Sequence, residues 1–501
     1  IPSCMATQHP DNSFPPYFSS SPFIPASLES LEVFLCYSNL GVDEIMWDWE
    51  GKFTDEAMID RLFYDYENFF KEKRLGKDIF LTFRIPNIWS EPGFRLTRAF
   101  ISIMTASEHS SSRGLHTPPI FEVILPMTDS ADKLIYVQRK YFELFKAHSN
   151  IFSERECAPY MIRVIPLIEG TVSLIDSAKI LENYIYQFKK EFGRDVDYLR
   201  PFIARSDPAL DSGFVPAFLS AKCAISEYYR FQNSSGVPVY PILGVGALPF
   251  RGGLTPYNVE EFIEDYAGVR TFTIQSAFRY DFDIDDVKRA IEEIKRLAKT
   301  TQPLRYTKEQ IERAMKTSEI FSSYYKSTIE KLARFISEFS NLIPSHRERI
   351  LHTGFFGYSR GNFSSPLPRA IKFVSVFYSL GIPPELIGTG RGLLEIEQKG
   401  DGSLEELNTF FNLKKWLSLP LSYLNRENLN ILCQMDRSFM DIKRDIDIII
   451  DFFGVPEERK DSDYIIHRNT TSNILHYFIK KNTEKVRDEI VTAARIRKSL
   501  G

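Results

Sequence analysis

Apolar runs rich in β-branched and aromatic residues recur along the first 280 residues, and each breaks at its carboxyl end into polar or charged residues suited to chemistry. Seven of them are EIMWDWEG (44–51), IFLTFRIP (79–86), IFEVILPM (120–127), IRVIPLIEG (162–170), YLRPFIARSD (198–207), VPVYPILGVG (237–246) and TFTIQSAFR (271–279). An eighth candidate, SCMATQHPDN (3–12), leads into a histidine. Runs apolar at nearly every position suit strands buried on both faces, and most are separated by roughly 30–40 residues of helix-patterned sequence, as βα units require. The pattern predicts an α/β fold, a (β/α)8 TIM-type barrel. Such barrels carry their active sites at the carboxyl ends of the strands, so Asp48, Glu50, Arg84, Glu122, Glu169, Asp207 and Gln275 are expected to face one another across one mouth.

The periodicity changes after Thr300. In YTKEQIERAMKTSEIFSSYYKSTIEKLARFISEF (306–339) apolar or aromatic residues recur every three or four positions with charges between, which predicts a long amphipathic helix. Another helix is expected within 366–385, ending at Gly381, and both NLNILCQMDRSFMDIKRDIDIIIDFFG (428–454) and the last thirty residues read as helical. The expected organisation is a barrel over 1–300 and a large α-helical region over 301–501 packed on it. Within the barrel, 128–160 is mostly helix-patterned, whereas the serine-rich TASEHSSSRGLHTP (105–118) reads either as a mobile lid or as an ordinary solvated connection.

Composition narrows the class. A chain of 501 residues with 43% hydrophobic content can bury a sizeable core. The formal net charge of −4 supplies no general attraction to nucleic acid or to anionic lipid, so an anionic substrate would have to be held by local arginines. Five cysteines form no CxxC pair, which argues against a disulfide framework or structural zinc. With no long apolar run and no signal-peptide pattern at the amino terminus, the expectation is a cytoplasmic enzyme without a membrane partner.

Glu169 and Asp207 close successive predicted strands and would be neighbours at the mouth. Two carboxylates suit a hard divalent cation that shares its remaining coordination with water and an anionic substrate; the alternative is an ion pair with Arg205. GVGALPFRGGL (244–254) joins glycines, which let the backbone approach an anion, to Arg251, which can grip a phosphate or carboxylate bidentately. It lacks the GKS/T ending of a Walker A motif. His9 precedes Pro10, which favours an extended backbone there, and its imidazole could move a proton near neutrality. Arg360 and Arg369, in the helical region, matter only if that region caps the mouth.

These segments, read in order as TQHPDN, MWDWEGK, FRIPN, FEVILPMT, VIPLIEG, ARSDPALDSG, PFRGG, TIQSAFRYD, GYSR, LPRA and IPPELIGTGR, resemble archaeal-type phosphoenolpyruvate carboxylases over nearly the whole chain. The resemblance extends to the longer bacterial and plant enzymes, whose TAHPTE, APLFET, GYSDSxKDxG and glycine-rich arginine motif are similar to TQHPDN, VIPLIEG, ARSDPALDSG and GVGALPFRGG. It implies His9, Arg251, Arg360 and Arg369 as catalytic residues and Glu169 and Asp207 as metal ligands. Arg84, Arg205, Gln275 and Arg279 are the substrate-binding candidates. It also implies carboxylation of phosphoenolpyruvate by bicarbonate, dependence on Mg²⁺ or Mn²⁺ without biotin, and a homotetramer. The closing ARIRKSLG is expected to tuck toward the site. Leu210, Leu243 and Val245 depart from the long form, which has lysine, histidine and arginine there, so positive charge must come from elsewhere. The competing readings are a metal-dependent aldolase or lyase acting on pyruvate or phosphoenolpyruvate, and a catalytically silent barrel used for binding or assembly.

Overall fold

In the computed structural model, which describes residues 1–52, 54–148, 161–347, 367–454 and 461–501, all eight apolar runs form strands. These are β1 (Cys4–Thr7), β2 (Glu44–Asp48), β3 (Phe80–Arg84), β4 (Glu122–Leu125), β5 (Arg163–Ile168), β6 (Phe202–Ala204), β7 (Ile242–Gly244) and β8 (Thr271–Ile274). They pair in chain order and close on themselves, β8 lying parallel to β1 with Met5 opposite Thr273 and Ala6 opposite Ile274. Side chains alternate between two destinations, as the period of a strand requires. Met5, Met46, Ile124, Ile165, Leu167, Phe202, Ala204 and Ile242 form a separate cluster filling the barrel, while Cys4, Ala6, Ile45, Trp47, Val123, Val164, Ile203 and Leu243 belong to the large core shared with the helices.

The amino end of the barrel is closed by ions instead of hydrocarbon. Arg200 donates from Nη2 to Glu44 Oε2 at 2.6 Å and from Nη1 to Glu122 Oε2 at 2.5 Å; Thr82 Oγ1 also donates to Glu44, and Tyr198 OH to Glu122. Glu122 therefore does not face the mouth. It opens β4 instead of closing it, and its carboxylate is committed to a buried arginine at the opposite end, where an unpaired charge would be costly.

The described elements after β8 are all helical. The expected long helix runs from Lys308 to Ser340, started by a capping box between Thr307 and Gln310. The 366–385 helix is Ala370–Ser379. The 428–454 stretch is divided into helices Arg426–Met435 and Met440–Phe453, because Asp436 is extended and its carboxylate accepts from Ser438 N at 2.8 Å. Asn482 likewise caps a new helix and divides the last thirty residues into Ser462–Ile479 and Thr483–Ile496. The lid reading of 105–118 fails: Gly93–Ser112 is one helix, and Ser107 and Ser110 are buried in it with their hydroxyls donating to the carbonyls of Ile103 and Thr117. No single helix among the described residues is long and apolar enough to cross a membrane.

Candidate active site

At the carboxyl ends of the strands lies a cavity of about 500 Å³. Its floor and barrel wall include Thr7, His9, Glu50, Arg84, Glu169 and Asp207, joined by Arg205, Arg251 and Gln275. The other wall comes from the segment after the long helix, including His346 and Arg347, and from Pro368–Lys372, with Leu500 closing one corner. Residues from both ends of the chain thus meet in one chamber, and ARIRKSLG does reach it.

His9 stands two residues beyond β1, with Nδ1 2.8 Å from Thr7 Oγ1, so the strand end holds its ring. Glu169 follows β5 directly and its Oε2 accepts from Met127 N at 2.7 Å. Asp207 lies in the first turn of the Ser206–Ser212 helix after β6. Strands β5 and β6 are hydrogen-bonded neighbours, so both carboxylates rise from adjacent strand ends into the same cavity.

The loop after β7 curls back on itself: Gly246 N donates to Arg251 O at 2.8 Å, and Gly253 N to Gly246 O at 2.9 Å. Two glycines are needed for this. A Cβ on Gly246 would stand 2.9 Å from Arg251 Cζ, and Gly252, at φ +125°, would bring one to 2.5 Å from Val245 Cγ1. The product is a buried Arg251 whose nitrogens donate to Asp11 Oδ2 at 2.9 Å, Gly501 O at 2.6 Å, Ser206 Oγ at 3.2 Å and Gln275 Oε1.

The remaining arginines divide. Arg84 is held by Asp48 through Nε (2.5 Å) and Nη2 (2.8 Å) and by Glu50 through Nη1 (3.2 Å). Arg369 precedes the Ala370–Ser379 helix and crosses the Gly51 backbone, where a Cβ would lie 3.2 Å from its Nη2. Arg205 lies over the Phe218 ring with Nε 3.0 Å from Tyr266 OH, and its two terminal nitrogens are buried without a hydrogen-bond partner among the described residues. Arg279 is not brought to the cavity. One turn beyond Gln275, it points away from the mouth and donates to Thr7 O (2.7 Å), Cys36 Sγ (2.9 Å) and Glu32 Oε1 (3.2 Å). Arg360 lies outside the described residues.

Sequence reasoning missed an ionic lattice behind this wall. Arg347 donates to Glu29 and Glu32, and Lys52 donates to Glu29 Oε2 at 2.6 Å and to Gln8 Oε1 at 2.8 Å, beside His9. It also missed Asp11. Lys52 closes the MWDWEGK run and Asp11 follows HP, which was the available signal; Glu29 and Glu32 carried none. Of the three departures, only Leu210 lines the cavity, while Leu243 and Val245 are packed in the core.

Behind Arg251, Glu385 Oε1 accepts from Phe250 N at 2.7 Å and from Tyr378 OH at 2.8 Å, and its Oε2 is buried without a hydrogen-bond partner among the described residues. Burial raises the Glu385 carboxyl from its ordinary 4.5 to about 7, against the lowering effect of those donors. A raised acid binds its proton more tightly folded than unfolded, so its contribution to stability is full below pH 4.5 and is lost as pH rises through about 7. Glu385→Gln should accordingly flatten the decline of Tm across that window, as followed by thermal unfolding at successive pH values.

The family model described as phosphoenolpyruvate carboxylase matches residues 1–501. Three archaeal relatives bear the same description. The chain is 36% identical to that of Metallosphaera sedula over 518 residues, covering 100% of this chain and 99% of the relative. It is 35% identical to that of Caldivirga maquilingensis over 519 residues, with the same coverage. With that of Pyrococcus furiosus it shares 39% identity over 428 residues, 82% of this chain and 86% of the relative. With matches of this length and identity, and the barrel expected of it, the chain belongs to the archaeal-type phosphoenolpyruvate carboxylase family and is an enzyme of the carboxy-lyase class.

Proposed function

We propose that the cavity joins bicarbonate to phosphoenolpyruvate, giving oxaloacetate and phosphate through carboxyphosphate and an enolate, with Mg²⁺ or Mn²⁺ and without biotin. The observation that carries this reading is the convergence of His9, Glu169, Asp207 and several buried arginines at one barrel mouth in a chain of this family.

The donor set fits a hard cation. Glu169 and Asp207 offer carboxylate oxygens, and among the described residues no third histidine, cysteine or acid converges to complete an all-protein cage, which leaves positions for water and substrate oxygens. When bound, the ion would supply positive charge for the enolate and carboxylate oxygens.

The protein's own groups would do the rest. Arg251, with Arg360 and Arg369, would hold the phosphoryl group while bicarbonate oxygen attacks phosphorus and the bond to the enol oxygen breaks. Arg205, whose terminal nitrogens lack partners among the described residues, supports a further anion contact. His9 would take the carboxyl proton of carboxyphosphate, whose carbon–oxygen bond then breaks to release carbon dioxide and phosphate. The walls from 340–347 and 368–372 would exclude water while the enolate carbon captures that carbon dioxide.

A coupled assay for oxaloacetate, with and without bicarbonate and divalent metal, tests the reading. Turnover independent of bicarbonate would favour an aldolase or lyase instead. Glu169→Gln and Asp207→Asn should each raise the metal concentration needed for half-maximal activity, and the double variant should cost much less than the product of the single effects, because one ion is lost either way. Fully multiplicative losses would argue against a shared ion.

A further inference from the structure

We propose that Asp11 is a positioning residue of this site, its buried carboxylate setting where Arg251 presents its guanidinium. The inference rests on the role given above to Arg251.

Asp11 is fully buried between two elements that approach the mouth from different strands. Its Oδ2 accepts from Arg251 Nη1 at 2.9 Å, in the loop after β7. Its Oδ1 accepts from Ala277 N at 2.7 Å, in the short helix after β8. With one oxygen fixed on each side, the carboxylate cannot turn without giving up a bond, and Arg251 inherits that orientation. Among the acceptors that the described residues offer Arg251, Asp11 is the only carboxylate side chain; Gln275 and Ser206 offer neutral side-chain oxygens and Gly501 a main-chain oxygen.

The backbone of Asp11 is engaged as well. Its carbonyl accepts from Leu500 N at 2.7 Å and from Ser499 Oγ at 3.3 Å, seating the segment whose Gly501 carbonyl also meets Arg251. One residue next to the HP dipeptide thus ties together the ends of β1, β7 and β8 and the last residues of the chain. A buried ion pair is weak evidence for a role in stability, since apolar replacements often serve as well. The chemistry of the acceptor argues for orientation. Asparagine has the same shape but must present its amide donor either to Arg251 or to Ala277 N, so it cannot serve both.

The test is a double-mutant cycle on the full chain. Asp11→Asn should fold, as checked by thermal unfolding, and lower kcat by about 10²-fold, the scale of a misplaced catalytic group. KM for phosphoenolpyruvate should change little, because the guanidinium is displaced and not removed. In an Arg251→Ala background the same Asp11→Asn change should cost little more, since no arm remains to be placed. Asp11→Ser, which leaves room for water, is the second variant and should show the same dependence on Arg251. Equal fold losses in both backgrounds would overturn the inference, as would failure of both Asp11 variants to fold, which would make the carboxylate a structural group. An Arg251→Ala enzyme as active as the parent would overturn the role of Arg251 itself, and this inference with it.

Discussion

Arg251→Lys is expected to lower kcat/KM by about 10²–10³-fold, although the positive charge is kept. The four acceptors around Arg251 are divided among its three nitrogens: Ser206 on Nε, Asp11 and Gly501 on Nη1, and Gln275 on Nη2. A planar fork satisfies that arrangement, whereas an ammonium is a point charge with three donors at one atom. The site is also built closely around the guanidinium, with Gly246 beneath Cζ and Asp11 beside Nη1. Lysine would leave at least part of this buried set unsatisfied and would carry its charge away from the phosphoryl group. Steady-state kinetics with phosphoenolpyruvate and bicarbonate varied in turn, on protein whose Tm has been compared with the parent, would measure it. Near-normal kinetics would remove Arg251 from the mechanism.

His9→Asn should reduce oxaloacetate formation by about 10²–10⁴-fold, the span of general acid–base catalysis by a positioned side chain. The two halves of the reaction should separate. Phosphoryl transfer to bicarbonate does not need the imidazole in the assignment above, so a bicarbonate-dependent release of phosphate and pyruvate should persist after carboxylation is lost. Asparagine is smaller than histidine and can still face Thr7 Oγ1, so the strand end should keep its shape. Parallel assays for oxaloacetate, pyruvate and phosphate would read the partition. Retention of the parental rate of oxaloacetate formation would show that the proton goes elsewhere.

What could be read in the sequence was local. Eight runs buried on both faces announce parallel strands, because a continuous apolar stretch has few other homes, and the carboxyl ends of such strands locate the cavity holding His9, Glu169, Asp207, Arg251 and Gln275. The long helix over Lys308–Ser340 was equally legible, since its periodicity and its Thr307 cap lie within the segment itself. What only the tertiary structure decided was direction and partnership. Glu122 and Glu169 are both glutamates in apolar runs, yet one opens its strand and pairs with Arg200 while the other follows its strand into the cavity. Gln275 and Arg279 are one helical turn apart, and only Gln275 lines the mouth, because Glu32 and Cys36 wait on the far side for Arg279. The contacts of Asp11 with Arg251 and of Arg347 with Glu32 join residues more than 200 positions apart. Such pairs leave no periodicity in the chain. Buried charges choose partners by what the closed barrel brings within hydrogen-bond reach, and no stretch of sequence contains that information by itself.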